Sequence, residues 1–324
     1  MKKNIAIIMG GYSSEVAISI KSGNVVYKHL DREKYNPFRI HILKEGWFYV
    51  NDSDDKLPVN KHDFSIEVNK QKISFDCVFN AIHGAPGENG AILAYFDLLN
   101  IKHTSAPFYQ MALTFNKRDT LSILKKYDIP TAKSVYLNKG NNIDIDSIID
   151  NVGLPCFVKP NNAGSSFGIS KVHTKSEFPA ALEKAYKEDS EILIESFLDG
   201  TEVSVGVINY QKETIVLPIT EIVSENDFFD YEAKYEGKSQ EITPARINKK
   251  QEEKVRAIAK KVYTVLNMSG FSRSEYILVN DIPHFLEMNT VPGLTEESIL
   301  PQQASEAGIS LTALFDNAIT EALI

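Results

Sequence analysis

Residues 158–168 read VKPNNAGSSFG, a strand that ends in a lysine and a loop of small residues that leads to another strand. Backbone N–H groups exposed in such a glycine- and serine-rich loop can surround phosphate oxygens. The lysine adds a positive charge for the same anion. The order of glycine and lysine is not that of a Walker loop, and no helix follows. Taken alone, the stretch fits either a phosphate-binding loop or a plain hairpin.

A second polar strand end lies near the C-terminus, where residues 285–293 read FLEMNTVPG. Glu287 and Asn289 are two residues apart and therefore share one face of the strand. Arg273 and Glu275 share a face in the same way. Carboxylate and amide oxygens suit Mg²⁺, which takes few protein ligands together with substrate phosphates. An acidic strand face is often only solvated, but the apolar neighbours here favour a buried cation site.

The hydrophobic periodicity predicts two kinds of fold in one chain. Residues 1–103 alternate apolar strands, glycine turns and helices, which predicts an open parallel α/β sheet. Ligands of such sheets bind beyond the carboxyl ends of the strands, where Gly10-Gly11 and His83-Gly84 both lie. The later residues predict α+β units, with a long loop over residues 224–244 that has little periodicity. The predicted later elements are helices 117–127, 176–187 and 249–266, helices from 301 and 311, and strands 131–136, 155–158, 168–172, 191–197, 202–208, 216–222, 274–279 and 284–288.

Length and composition limit the class of protein. A chain of 324 residues with 43% hydrophobic content exceeds one simple core and fits two or three domains. The net charge of −8 argues against a nucleic-acid or acidic-membrane partner. Cys77 and Cys156 lie in apolar runs and are expected to be free thiols, which favours a reducing compartment. The apolar run near the start is too short for a signal peptide, and no stretch has transmembrane length, so we expect a cytoplasmic protein.

The two polar strand ends together resemble the ATP-grasp fold, and four further motifs narrow the resemblance to the D-alanine–D-alanine ligases. The six motifs occur in the expected order over essentially the whole chain, which makes the combination specific although each motif alone is weak to moderate. The four further motifs are GGYSSE at 10–15, HGAPGENG at 83–90, DYEAKY at 230–235, and GLT followed by SI within 293–299. The resemblance implies an N-terminal open parallel α/β domain (1–103, pre-ATP-grasp) and an ATP-grasp fold of two α+β subdomains (104–200 and 201–324).

The resemblance also implies a role for each matching residue. Two Mg²⁺ or Mn²⁺ ions would be held by Glu275, Glu287 and Asn289. The implied ATP-binding residues are Lys117, Lys159, Ser166, Glu195, Ser196, Phe197, Leu198, Glu202 and Lys234. The implied residues of the D-alanine sites are Glu15, His83, Ser298 and Ile299, and the implied catalytic residues are Glu15, Ser165, Tyr235, Arg273 and Gly293.

The implied reaction joins two D-alanines through a D-alanyl phosphate at the expense of ATP, for peptidoglycan precursors. The implied protein is a cytoplasmic homodimer that binds neither nucleic acid nor membrane. Tyr235 favours D-alanine over D-lactate, because related depsipeptide ligases tend to carry Phe there. Glu275 departs from the pattern, in which Asp is more usual, and its extra methylene group would shift the position of a bound metal.

Three alternatives stay open at this point. One is another ATP-grasp ligase with a different acceptor, and another is a catalytically silent nucleotide-binding or scaffolding protein. A Rossmann oxidoreductase is suggested by the opening strand and Gly10-Gly11, but the full G-x-G-x-x-G pattern is absent.

Overall fold

A computed structural model of the protein describes residues 2–162, 164, 167–224 and 239–324. Within these ranges the strands form three sheets, accompanied by nine α-helices. No helix in the described part of the chain is long and apolar enough to cross a membrane.

The first sheet has eight strands in the order β6-β5-β4-β3-β2-β1-β7-β8. Its elements are β1 (Lys3–Gly10), α1 (Val16–His29), β2 (Tyr35–Leu43), β3 (Gly46–Val50), β4 (Lys56–Asn60), β5 (Ser65–Val68), β6 (Gln71–Ile73), β7 (Cys77–Asn80), α2 (Ala91–Leu98) and β8 (Lys102–His103). The predicted parallel arrangement is confirmed for β2, β1, β7 and β8. It is wrong for β3 to β6, which extend the sheet as antiparallel hairpins. The short loops there, with Asp54, Asn69 and Lys70 at positive φ, leave no room for a crossover helix.

The second sheet is antiparallel, in the order β11-β10-β12-β9. Its segment contains α3 (Phe108–Phe115), α4 (Lys117–Lys125), β9 (Ser134–Asn138), α5 (Ile145–Val152), β10 (Cys156–Pro160), β11 (Ser170–Val172), α6 (Phe178–Glu188) and β12 (Glu191–Ser196). Helix α5 was not predicted, although its start is capped by the Asp144 carboxylate, which accepts from the N–H groups of Asp146 and Ser147. Helix α3 was not predicted either, whereas the two predicted helices and the predicted strands of this segment are confirmed.

The third sheet is also antiparallel, in the order β15-β14-β13-β16-β17. Its segment contains β13 (Thr201–Tyr210), β14 (Glu213–Ser224), β15 (Ser239–Ile242), α7 (Lys249–Val265), β16 (Phe271–Val279), β17 (Ile282–Asn289), α8 (Ile299–Glu306) and α9 (Leu311–Ala322). The predicted Asn280-Asp281 turn is confirmed, with φ values of 48° and 62°. The predicted loop 224–244 is wrong for residues 239–242, which pair with β14 as an edge strand. The residues of this strand are mostly polar, so the sequence shows no alternation of apolar and polar residues that would predict a strand.

The two ends of the chain share one hydrophobic core. Phe315 of α9 packs edge-on against Phe79 of β7, with ring centroids 5.6 Å apart. Leu314 and Ile319 join the same cluster as Ile5. This packing brings the loops that follow β1 and β7 next to the loop that follows β17, and the candidate site forms there.

Candidate active site

The acid of the first motif lies at the carboxyl edge of the first sheet. Glu15 immediately precedes α1, and Gly84 follows β7 with φ +67°. A Cβ atom at Gly84 would lie 2.8 Å from Ser13 Oγ and 3.1 Å from Glu15 Oε2, so the glycine allows the two motifs to meet. A Cβ atom at Gly164 would likewise lie 3.1 Å from Glu15 Oε2. Gly164 of the glycine-rich loop therefore lies beside the N-terminal acid.

His83 is buried and both its ring nitrogens have partners. Nδ1 lies 2.7 Å from the carbonyl oxygen of Val291, and Nε2 lies 3.0 Å from Ser22 Oγ. A carbonyl only accepts, so Nδ1 carries the hydrogen. Burial lowers the pKa of His83; the Glu15 charge and the hydrogen bond to the Val291 carbonyl oppose this, and the Arg273 charge makes the smallest contribution, which also lowers the pKa. The neutral ring then accepts at Nε2 from the Ser22 hydroxyl.

Ser22 completes this connection by accepting the backbone N–H of Leu294 at 3.2 Å. The serine and the histidine therefore attach helix α1 and the end of β7 to both sides of Gly293. His83 supports the loop that carries the predicted oxyanion donor. No feature of the sequence identified Ser22, because a serine on a buried helix face has no distinctive pattern.

Glu88 is a second buried acid near Glu15. Its Oε2 accepts the N–H of Gly84 at 3.0 Å. Burial raises the pKa of Glu88 to about 7, and the Glu15 charge adds to the rise, while the Gly84 hydrogen bond and Lys117 oppose it. The Gly84 turn beside Glu15 is thus held by a carboxyl group that is partly protonated near neutral pH.

Three basic residues predicted to bind phosphate or oxyanion lie in ion pairs with acidic residues predicted to bind metal or nucleotide. Lys117 Nζ lies 3.1 Å from Glu287 Oε2, and Arg273 Nη1 lies 2.8 Å from Glu275 Oε1. Lys159 Nζ pairs with Glu195, whose side chain is only 4% exposed. These pairs come from β10, β12, β16, β17 and the start of α4, so the structure brings the predicted cations and carboxylates of the second and third sheets together.

The predicted metal ligands lie side by side on the third sheet. Glu275 is directly opposite Glu287 in the β16–β17 register, and Asn289 follows on the same strand. Glu275 Oε1 is buried and accepts no hydrogen bond from any described residue, despite its closeness to Arg273. Within the described ranges no three His, Cys, Asp or Glu side chains cluster as a metal site. Two carboxylates and one amide fit Mg²⁺ that completes its shell with phosphate oxygens.

The predicted acceptor site lies where α8 begins. Ser298 precedes the helix, and its hydroxyl lies 2.7 Å from Thr295 Oγ1. A Cβ atom at Gly293 would lie 2.7 Å from Ser298 Oγ, so this glycine lets the loop after β17 contact the helix start. Ile299 is the first helical residue, and the N–H groups of a first turn point out of the helix towards an anion. The arrangement suits a substrate carboxylate.

The predicted adenine edge follows β12. The N–H of Ser196 donates to the Lys133 carbonyl, and the N–H of Phe197 donates to the Pro155 carbonyl. Lys171 Nζ lies 4.3 Å from the centroid of the Phe197 ring, a cation–π distance. Leu198 follows at intermediate exposure, and Glu202 begins the pairing of β13 with β14. The predictions for Ser165, Ser166, Lys234 and Tyr235 lie outside the described residues.

Two protein-family models match this chain, one over its N-terminal part and one over its C-terminal part. The family described as D-ala D-ala ligase N-terminus matches residues 4–106, and the family described as D-ala D-ala ligase C-terminus matches residues 123–320. A D-alanine–D-alanine ligase of Flavobacterium johnsoniae is 67% identical over 317 residues, 98% of each chain.

Two solved structures are similar over the full fold. The VanG D-Ala:D-Ser ligase of Enterococcus faecalis has a TM-score of 0.89 at 30% identity and covers 100% of both chains. The D-alanine–D-alanine ligase of Bacillus anthracis complexed with ATP has a TM-score of 0.79 at 28% identity, covering 99% of this chain and 97% of that one. These similarities set aside the oxidoreductase alternative, and the chain belongs to the D-alanine–D-alanine ligase family.

Proposed function

We propose that this chain joins two D-alanines into D-alanyl-D-alanine with ATP, through a D-alanyl phosphate. The observation that carries the proposal is the set of ion pairs Lys117–Glu287, Lys159–Glu195 and Arg273–Glu275, which puts cations assigned to phosphate and oxyanion beside carboxylates assigned to metal and nucleotide. The ATP complex of the Bacillus anthracis relative and the 67% identical ligase support the same reaction.

In the first step, a carboxylate oxygen of the first D-alanine attacks the γ-phosphorus of ATP in line, and ADP leaves. Glu15 binds the ammonium group of that D-alanine. Lys117, Lys159 and Lys234 neutralise the phosphate oxygens, while Glu195 to Leu198 bind adenine and Glu202 binds the ribose hydroxyls. Mg²⁺ or Mn²⁺, two ions held by Glu275, Glu287 and Asn289, would supply Lewis-acid stabilisation of the transferring phosphoryl group.

In the second step, the free amine of the second D-alanine attacks the acyl carbon. The C–N bond forms, the bond between the acyl carbon and the bridging phosphate oxygen breaks, phosphate leaves with the electron pair, and the attacking nitrogen loses a proton to solvent. Arg273 and the Gly293 N–H stabilise the tetrahedral oxyanion, and one such donor contributes roughly a hundredfold in other enzymes. The Ser298 hydroxyl and the Ile299 N–H receive the carboxylate of the second D-alanine.

Water would hydrolyse the acyl phosphate, so the reaction needs a closed site. A hydrogen-bonded trio of Glu15, Ser165 and Tyr235 would close the site over the substrates, with Ser166 on the phosphates. The closeness of Gly164 to the Glu15 carboxylate supports this arrangement. His83 forms part of the wall at the first D-alanine.

The same proposal includes the organisation of the protein. Its N-terminal substrate-binding domain is residues 1–103, the central ATP-grasp subdomain is 104–200, and the C-terminal subdomain with the metal and substrate site is 201–324. The three sheets fall within these boundaries, at residues 3–103, 134–196 and 201–289. The proposed protein is a cytoplasmic homodimer that supplies peptidoglycan precursors.

Phosphate release by purified protein with ATP, Mg²⁺ and D-alanine tests the function. D-Alanyl-D-alanine, identified by mass, is expected with D-alanine and not with L-alanine. Parallel reactions with D-serine and D-lactate as acceptors examine the specificity named for the Enterococcus relative. Turnover that requires an acceptor other than D-alanine would contradict the proposal.

A further inference from the structure

A fully buried amide lies on the helix that begins at the acceptor site. Gln303 of α8 has no exposed surface. It follows Ser298 by five residues, roughly 7.5 Å along the helix. A buried side-chain amide is costly unless its polar atoms have partners. The partners of Gln303 therefore show what this residue holds together.

The hydrogen bonds of Gln303 fix its orientation. Oε1 accepts the N–H of Gly206 at 2.9 Å, and Nε2 donates to the Ser204 carbonyl at 2.8 Å and to Thr220 Oγ1 at 3.0 Å. An N–H can only donate and a carbonyl can only accept, so the amide cannot be turned over. All three partners belong to β13 and β14, and α8 is thus attached to the sheet at one defined register.

The backbone of β13 is shaped for this contact. The β13–β14 register shifts between Val205 and Val207, which leaves Gly206 in an irregular position. A Cβ atom at Gly206 would lie 2.6 Å from Leu300 Cδ1 and 2.8 Å from Gln303 Oε1. Only a glycine allows the helix to approach this closely.

Strand β13 also contacts Arg273, which is proposed to stabilise the oxyanion. Arg273 is opposite Gly206 in the β13–β16 register, and its Nη1 donates to Ser204 Oγ at 3.2 Å. Ser204 thus accepts from Gln303 at its carbonyl and from Arg273 at its hydroxyl. These hydrogen bonds, buried at Gln303 and partly buried at Arg273, connect the helix that follows Ser298 to the guanidinium proposed to stabilise the oxyanion.

We propose that Gln303 is a positioning residue for the second half-reaction, which fixes the distance between the acceptor carboxylate site and Arg273. This inference rests on the proposed ligation of two D-alanines. Phosphoryl transfer does not require the start of α8. Loss of Gln303 should therefore impair attack by D-alanine and leave formation of the acyl phosphate largely intact.

The two half-reactions can be separated with hydroxylamine, a nucleophile that has no carboxylate. Its nitrogen attacks the D-alanyl phosphate, a C–N bond forms, phosphate leaves, a proton is lost to solvent, and the product is D-alanyl hydroxamate. With D-alanine, ATP, Mg²⁺ and a fixed hydroxylamine concentration, the ratio of dipeptide to hydroxamate is read by mass. This ratio is independent of the fraction of enzyme that is folded.

In Gln303→Leu we expect the ratio to fall by between about tenfold and about a hundredfold, as for other small displacements of reacting groups. Gln303→Glu keeps the acceptor for Gly206 but removes the donor to Ser204, and a smaller fall in the same direction is expected. The matched control is Tyr263→Phe, which removes a partly buried hydroxyl that donates to the Gly270 carbonyl at 2.9 Å and takes no part in the hydrogen bonds of Gln303, Ser204 or Arg273. The control should keep the wild-type ratio.

An unchanged ratio in both Gln303 variants would overturn the inference, as would an equal fall in Tyr263→Phe. Wild-type protein that forms neither product would instead refute the proposed function. If wild-type protein forms dipeptide but no hydroxamate, the KM values of the Gln303 variants for D-alanine and ATP are compared with those of wild type. The inference then requires a raised KM for D-alanine with a KM for ATP within about twofold of wild type, and parallel changes in both would contradict it.

Discussion

Replacing Glu88 with Gln should stabilise the substrate-free protein in a pH-dependent way. Glu88 is buried, and its pKa rises from 4.5 to about 7 in the folded state because burial disfavours the carboxylate. Between these two values the folded protein keeps a proton that the unfolded chain has lost. The contribution of Glu88 to stability therefore decreases as the pH rises from about 4.5 to about 7. A glutamine does not ionise, so its burial carries no such pH-dependent cost, and its side-chain oxygen can still accept the Gly84 N–H.

The magnitude follows from the size of the shift. One pKa unit is equivalent to about 1.4 kcal/mol. The rise from 4.5 to about 7 then corresponds to about 3 kcal/mol between acid and neutral conditions. The free energy of unfolding of Glu88→Gln should be close to that of wild type near pH 4.5 and should exceed it by up to about 3 kcal/mol above pH 7.5.

Urea unfolding of both proteins at steps of pH from 4.5 to 8, without nucleotide or metal, measures this difference. The difference in free energy of unfolding should grow with pH and level off above about pH 7. A difference that is constant over this range would refute the reasoning, because a shape or packing effect of glutamine does not titrate. Glu67→Gln on the exposed face of β5 is the matched control, which makes the same substitution at the surface.

Three further changes test the site. Ser22→Ala removes the donor to His83 Nε2 and the acceptor for the Leu294 N–H, so urea unfolding should show a loss of about 1–3 kcal/mol and dipeptide formation should slow; unchanged values would show that the link is dispensable. Lys159→Met leaves Glu195 buried without its cation and should cost about 3–5 kcal/mol in thermal or urea unfolding. Adding Glu195→Leu should restore most of that stability but not ATP binding by calorimetry, and failure of the double variant to recover would contradict a buried pair. Glu287→Gln should raise the Mg²⁺ concentration for half-maximal activity by about tenfold or more, and an unaltered Mg²⁺ titration would exclude this residue as a ligand.

The elements with strong local signals were predictable from the sequence. The apolar run of β1 ends in glycines, α7 has helical spacing, and Asn280-Asp281 marks a turn, and all three are confirmed. The antiparallel strands β3 to β6 were missed because they are short and few of their residues are fully buried, so that no marked apolar face repeats along them. Strand β15 was missed for the same reason.

The site residues were predicted because short motifs carry their spacing, whereas their supports were not. Ser22, Ser204 and Gln303 are single polar residues in buried elements, and each acts through partners that are distant in sequence, up to 272 residues away for Ser22 and Leu294. Sequence spacing describes one strand or helix at a time. It contains no information on which buried hydroxyl will meet a loop from the other end of the chain.

Pairing of the charges also depended on the tertiary structure, and it bears on how the nucleotide would bind. Each of the three predicted cations lies beside a predicted carboxylate, so the local charge is balanced within the protein. ATP without metal would bring its negative charges against these carboxylates. Magnesium held by Glu275 and Glu287 would supply a cation to these carboxylates, so that Arg273 would be free to bind the oxyanion and Lys117 to bind the phosphates. Because burial makes an unpaired charge costly, this exchange favours entry of the nucleotide together with its metal.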